Sequence, residues 1–343
     1  MNLKELSSIL GLSQTTVSRA LNDYPEVREA TRQRVKDAAE RYKYSPSSRA
    51  KSLATGRALA IGHVIPVSTQ HEMVNPVFAD FIAGAGEAYS AKGYDILLSV
   101  VADQNEEAAY RRFRARGLVD GVIVHGPRAD DPRIELLQEL GLPFVVHGRV
   151  GDSEDQYCWV DVNNRHSFLR ATEFLLDLGH RRIALLNGLE SMDFARRRRE
   201  GYAAAMANRN VALEPNHMVS DEMTEEQGFR YTKRMLEMPN SPTAFIVSSM
   251  NMAIGSRRAI ADANLRLGKD VSMIIHDDDL SYMKNGGDIP MFTAARSSVR
   301  EAGKLCAEML LDMIENPGQP CRHVHLESQL MVGSSTGPAP NRG

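Results

Sequence analysis

The sequence predicts an α/β protein in which a small helical head precedes two successive sets of alternating strands and helices. Three observations carry that expectation. Residues 1–45 contain three amphipathic patterns at helical spacing. After Gly56, short apolar runs alternate with amphipathic stretches, the pattern of parallel βαβ units. Charge divides along the same line: residues 1–56 hold ten Lys/Arg against six Asp/Glu, a net of +4, and the remainder carries −7. A basic head on an acidic body points to an anionic partner for the head alone.

In the head, Leu3, Leu6, Ile9 and Leu10 recur on one face of a first short helix. Gly11 supplies the positive φ that ends it, and Ser13 is a good N-cap for a second helix. There Val17, Ala20 and Leu21 point inward. Gln14, Thr15, Thr16, Ser18, Arg19 and Asn22 point outward, a row of hydrogen-bonding groups without an acid. Such a helix-turn-helix suits base edges and phosphates in a major groove. A third helix follows over 31–44, with Val35, Ala38, Ala39 and Tyr42 on one side. Pro46 breaks it. Residues 47–54 fit one short helix stopped by Gly56, too short to be stable alone in water.

The body begins with a buried strand over 58–66 and a helix over 75–93. Strand 94–100, helix 105–117, strand 121–125, helix 131–140 and strand 143–147 complete a first set. The second set runs helix 164–179, strand 182–188, helices 193–209 and 224–237, strand 244–249, helix 251–264 and strand 271–277. Two such sets in tandem predict two lobes, with ligand groups at the carboxyl ends of their strands. Those ends place Asn75, Phe78, Phe81, His125, His147 and Arg149 in the first lobe. Asp161 and Asn163 sit at the crossing, and Asp193, Phe194, Arg198, Met223, Ser249, Asn251, Asp277 and Ser297 come later.

The residues Ser13, Thr16-Val17-Ser18-Arg19, Leu21-Asn22, Val27, Thr31-Arg32, Val35, Tyr44, Pro46, Ala50, Leu53 and Gly56 carry a resemblance to the lactose-repressor (LacI/GalR) family of bacterial transcription regulators. It runs from Leu3 to about Ser334. The resemblance implies a helix-turn-helix DNA-binding domain (1–45), a hinge helix or linker (46–57) and a two-lobed, periplasmic-binding-protein-like domain for effector binding and dimerisation (58–334). The chain would cross between lobes three times, near 160, 290 and 320. Lobe 1 is then about 58–160 and 292–320, lobe 2 about 161–291 and 321–334, with residues 335–343 a flexible tail. It further implies a hinge that folds on DNA, with Leu53 as a minor-groove wedge supported by Ala50, and contacts to DNA from Ser47 and Tyr44. Ser47 stands where many relatives have Asn. In the cleft, Arg198 matches an arginine that grips sugar hydroxyls and Asp277 the facing carboxylate. Ser249-Met250, Ser297 and His276-Asp277-Asp278 depart from common family residues.

The expected function is therefore a homodimeric repressor that reads a palindromic operator and answers to a small molecule, a sugar, with a disaccharide such as an α-glucoside as the expected effector. Gln14, Thr15 and Arg19 would meet base edges, and Thr16, Ser18 and Asn22 phosphates. Leucine heptads are missing after Ser335, where Pro338 and Pro340 stand, so a dimer rather than a tetramer is expected. No cofactor and no metal is expected. The His276–Asp279 run alternates faces, and Cys321, His323 and His325 lack a fourth ligand. No phosphate loop, dinucleotide fingerprint or nucleophile elbow is present, which argues against an enzyme. Three scattered cysteines imply no disulfide framework. The absence of a leader pattern and of a long apolar run predicts a cytoplasmic protein without membrane contact, unlike an exported solute receptor.

Overall fold

The computed structural model describes residues 1–44, 56–66, 75–151 and 156–340. The expected hinge residues Ser47, Ala50 and Leu53 lie outside the described residues. The chain forms two compact units, Met1–Leu59 and Ala60–Gly343.

The first unit holds α1 (Leu3–Leu10), α2 (Gln14–Leu21) and α3 (Glu29–Arg41). A capping box starts α1: Glu5 N donates to the Asn2 side chain, and Asn2 N donates to the Glu5 carboxylate. Gly11 ends α1 at φ 63°, a left-handed turn cheap only for glycine. Leu6, Leu10, Val17, Ala20, Val27, Val35 and Ala39 close the core. Two expected inward residues are not inside: Ile9 is 49% and Tyr42 39% exposed. They lie at the margins of their helical stripes, beyond the reach of a three-helix core this small.

The second unit begins with β1 (Ala60–Pro66), α4 (Pro76–Ala91), β2 (Asp95–Val101), α5 (Glu106–Arg116), β3 (Gly121–His125), α6 (Pro132–Leu140), β4 (Phe144–His147) and β5 (Cys158–Val162). It continues with α7 (Asn164–Asp177), β6 (Ile183–Asn187), α8 (Asp193–Asn208), β7 (Met218–Ser220), α9 (Glu225–Leu236), β8 (Ala244–Val247), α10 (Met250–Asp262), β9 (Ser272–Asp277) and β10 (Thr293–Arg296). Then come α11 (Val299–Glu315), β11 (His323–Leu326) and β12 (Gln329–Met331). One six-stranded sheet has the order β11-β5-β4-β3-β1-β2 and the other β12-β10-β9-β8-β6-β7. Every neighbouring pair is parallel except β10 with β12. Their central strands are near-continuous apolar runs because helices cover both faces.

Sheet pairing corrects the lobe boundaries. The chain leaves the first sheet after Val162, returns after Arg296, and leaves again after Leu326. Residues 293–296 thus belong to the second lobe, because Thr293–Arg296 pair in register with Ile274–Asp277. Residues 323–326 belong to the first, paired with Trp159–Val162. Helix α11, absent from the sequence reading, returns the chain to lobe 1 and packs on α4. A Cβ at Gly84 would fall 2.0 Å from the Arg300 carbonyl oxygen, so the α4–α11 crossing admits only glycine there.

The expected flexible tail is also corrected over 335–340. Ser335 is 1% exposed. Its Oγ donates to the Met273 carbonyl at 2.5 Å and accepts from Thr293 N at 2.8 Å. His180 bonds the Gly337 carbonyl at 3.1 Å, and Ala339 N donates to the Leu178 carbonyl at 2.8 Å. The segment satisfies polar groups at the amino ends of the second sheet, which would otherwise be buried without partners.

Candidate functional site

In the head, Gln14, Thr15 and Arg19 stand exposed on α2. Ser13 and Thr16 are tied to each other: the Ser13 Oγ accepts from Thr16 N at 3.1 Å and pairs with the Thr16 hydroxyl at 2.8 Å. Asn22 turns its amide inward, donating to the Ser18 carbonyl at 2.8 Å. Tyr44 is half-buried against the head core. Among the described residues, Gln14, Thr15 and Arg19 make no side-chain hydrogen bond, whereas Ser13, Thr16 and Asn22 shape the helix ends.

In the second unit a cleft opens between the two sheets, at the carboxyl ends of their strands. The first lobe lines it with Asn75, Phe78, Phe81, His125, His147 and Asp161. The second contributes Phe194, Arg198, Met223, Ser249, Asn251 and Ser297. These are sequence-expected residues, brought together from eight segments of the chain.

Arg198 is held in place by its neighbours. Its Nε donates to Asn164 Oδ1 and its Nη1 to the Ser248 carbonyl, both at 2.8 Å. Its guanidinium lies 5.1 Å from the Phe168 ring centre and 4.9 Å from that of Phe194. Burial draws its pKa down to about 10, against the pull of Asp278 and Asp161, so it stays charged at neutral pH. Its Nη2 has no hydrogen bond among the described residues.

The facing carboxylate is Asp278 rather than Asp277. Successive residues at the end of β9 alternate faces. His276 and Asp278 therefore share the cleft side, while Asp277 points away and accepts from Asp279 N at 3.0 Å. Asp277 lines a separate cavity with Lys284, Asn285 and Arg296, and burial raises its pKa. Asp278 is half-buried, and His276, Arg198 and His147 outweigh its loss of hydration and hold its pKa below the usual carboxylate value. The imidazole of His276 lies 3.2 Å from Asp278 Oδ1.

Three more expected residues do not line the cleft; they brace its walls. Arg149 donates to Asp161 Oδ2 at 3.1 Å and lies over Trp159. Asn163 caps α7 and donates to Glu327 at 2.7 Å across two crossings. Asp193, 1% exposed, is taken by Arg196 at 2.6 Å and by Arg197. Phe81 is 1% exposed and packs 4.5 Å from His147 and 4.8 Å from His125, so it backs the cleft more than it faces it. Sequence reasoning missed Asn164, Ser248, His276, Asp278 and the methionines Met192 and Met250. Only the polarity of the His276–Asp278 run gave any signal.

The two walls also touch directly. Asp80 on α4 accepts from Ser281 N at 2.7 Å and from the Ser281 hydroxyl at 2.5 Å. On the other side Asp193 N donates to the Pro127 carbonyl at 3.0 Å, and Arg197 donates to the Gly151 carbonyl. His323 stacks on Trp159 with ring centres 5.1 Å apart, His325 meets the same ring tilted at 4.7 Å, and the Cys321 thiol neighbours Cys158.

A model of bacterial regulatory proteins of the lacI family matches residues 2–47, and one of the periplasmic binding protein-like domain matches residues 172–336. The HTH-type transcriptional regulator AglR of Rhizobium meliloti (strain 1021) is 43% identical over 342 residues, covering 100% of this chain and 96% of its own length. The chain belongs to the LacI family. This LacI-family chain is also 29% identical to the HTH-type transcriptional regulator CelR of Thermobifida fusca, over 97% of both proteins. A solved complex of transcriptional regulator CelR with cellobiose superposes with a TM-score of 0.72 at 26% identity, covering 98% of this chain and 99% of that one. The lac repressor dimer bound to operator and the anti-inducer ONPF superposes with a TM-score of 0.84 at 24% identity, over 98% and 99%, a likeness of fold. The resemblance read from the first 56 residues is thus borne out along the whole chain, as is the α/β class. The protein is a LacI-type, DNA-binding transcription regulator. Among the described residues, no helix is long and apolar enough to cross a membrane.

Proposed function

We propose that this regulator is a repressor whose cleft binds a neutral sugar, and that effector binding changes its affinity for a palindromic operator. The observation that carries the reading is Arg198 beside Asp278 on the second-lobe wall, in a cleft whose other lining, apart from Asp161 held by Arg149, offers amides, hydroxyls, imidazoles, aromatic rings and methionines. A guanidinium offers parallel donors and a carboxylate parallel acceptors, which together suit vicinal hydroxyls. Apolar walls suit the flat faces of sugar rings. Arg198 is balanced by Asp278 and Asp161 by Arg149, which favours a neutral ligand over a sugar phosphate. Likeness to a cellobiose-bound regulator supports a disaccharide, and an α-glucoside is the class we favour. Gln14, Thr15 and Arg19 read base edges in this account.

The active form is a homodimer. On β2, the edge strand of the first sheet, Ile96, Leu98 and Val100 make an apolar stripe 37%, 39% and 52% exposed. An edge of this kind is a liability unless covered, and a second copy of the chain covers it. The cleft binds and releases its sugar without chemistry, so the protein is not an enzyme, and it works in the cytoplasm where its operator lies.

The test is a thermal-shift screen of maltose, sucrose, trehalose, cellobiose, their monosaccharides and glucose 6-phosphate, followed by operator titration with each hit. An α-linked disaccharide should raise the melting temperature and alter operator affinity. A response to glucose 6-phosphate alone would replace the neutral-sugar reading.

A further inference from the structure

Beneath the first-lobe floor of the cleft runs a chain of polar groups. His63 on β1, His125 on β3 and His147 on β4 share one face of the first sheet, beneath α4 and α11. His63 is 0% exposed. Its Nδ1 lies 2.9 Å from His125 Nε2, and its Nε2 lies 3.4 Å from the Tyr89 hydroxyl on α4. The His63 and His125 rings stack at 5.1 Å. Phe78 and Phe81 of α4 pack edge-on against His125, Cys306 of α11 adjoins Tyr89, and Arg133 of α6 donates to the His125 carbonyl.

These imidazoles are neutral. Burial pushes the pKa of His63 down to about 3, and burial followed by the neighbouring His63, His147 and Arg133 lowers that of His125. Burial likewise keeps the Tyr89 phenol protonated. A neutral imidazole has one N–H and one bare nitrogen, so a contact at one nitrogen dictates the state of the other. The Tyr89 hydroxyl is buried and must donate its hydrogen somewhere; among the described residues its hydrogen-bond partner is His63 Nε2. If it donates there, His63 carries its hydrogen on Nδ1 and donates to His125 Nε2. His125 must then carry its own hydrogen on Nδ1. The reverse order would place a hydrogen on His63 Nε2 and leave the Tyr89 hydrogen without an acceptor in the core, an unfavourable arrangement.

We propose that Tyr89 and His63 are positioning residues that fix His125 as its Nδ1–H tautomer, so that the first-lobe floor of the cleft presents a neutral hydrogen-bond donor. His125 lines the cleft, and its Nδ1 has no partner among the described residues. The effector group seated there is consequently an oxygen acceptor, a hydroxyl or an acetal oxygen, and not an ammonium. This inference rests on the reading of the cleft as the effector site.

The experiment uses the full-length protein with ¹⁵N-labelled histidine, whose long-range imidazole spectra report which ring nitrogen carries hydrogen. Wild-type protein should show Nδ1–H on both His63 and His125 at neutral pH. Tyr89→Phe and His63→Gln should each release His125 into a mixture of tautomers. Tyr89→Phe should also weaken binding of the stabilising disaccharide roughly three- to tenfold, with operator affinity in its absence unchanged. Hydrogen on His125 Nε2 in the wild type overturns the proposal, and so does a pure Nδ1–H form that persists in both variants. A wild-type Nδ1–H spectrum that no sugar in the panel perturbs keeps the relay and overturns the effector reading instead.

Discussion

The two lobes share one strand plan but line the cleft with different chemistry. At the ends of β3 and β4 the first lobe places His125 and His147, both held neutral by burial. At the corresponding ends of β8 and β9 the second lobe places Ser248 and Asp278, with Arg198 from α8. One wall offers shape and imidazole hydrogen bonds, with Asp161 already held by Arg149. The other offers a fixed cation and anion, anchored by Asn164 and the Ser248 carbonyl. The same scaffold can thus assign orientation to one lobe and charge to the other, because a residue at a strand's carboxyl end faces the cleft whatever its type.

The largest expected effect is in acid. The folded pKa of His147 is about 4 and that of His63 about 3, both below the ordinary 6.5. As pH falls through 6.5 the unfolded chain takes up protons first. Stability present above 6.5 is therefore lost on acidification, by about 1.4 kcal/mol per pH unit for each such group until its folded pKa is reached. Asp161, raised to about 6 by burial against the pull of Arg149, runs the other way: its contribution is full below 3.8 and is lost as pH rises through 6. The histidines dominate between pH 6.5 and 5, so the melting temperature should drop over that interval. His63→Gln should flatten the drop; a flat wild-type profile would show that these rings are not held neutral.

The charged wall is tested by substitution. Arg198→Ala and Asp278→Asn should each weaken sugar binding by roughly ten- to a hundredfold, the equivalent of a lost charge-assisted hydrogen bond. Asp277→Asn, one residue away on the opposite face, should change affinity less than about twofold. Isothermal titration with the disaccharide checks all three, and equal losses at 277 and 278 would put both carboxylates in the cleft.

A smaller effect is expected where the walls meet. Asp80→Asn removes the charge that accepts from Ser281 N and its hydroxyl. If lobe closure is what the effector selects, the variant should need about three- to tenfold more sugar to reach half-maximal change in operator binding. Operator titration at graded sugar concentrations measures this. An unchanged midpoint would mean that this contact is kept in both lobe geometries.

Much of this was legible in the sequence because its signals are local. Helix period, the Ser13 cap and the Gly11 stop define the head within twenty residues. The alternation of apolar runs and amphipathic helices gives the parallel architecture. Arg198 could be placed by resemblance, and His125 and His147 by their position after apolar runs. Tertiary structure alone decided the rest. Whether Asp277 or Asp278 faces the cleft depends on where β9 stops pairing with β10, a contact between segments about twenty residues apart. Arg149 and Asn163 became braces because partners arrived from other elements, Asp161 and Glu327, whereas Asp193 is taken by Arg196 and Arg197 of its own helix. The residues after Ser334 look disordered in composition, yet the bare amino ends of the second sheet supply hydrogen-bond partners that hold 335–340 in place. Local periodicity fixes which side chains an element presents; only the packed chain fixes what each of them meets.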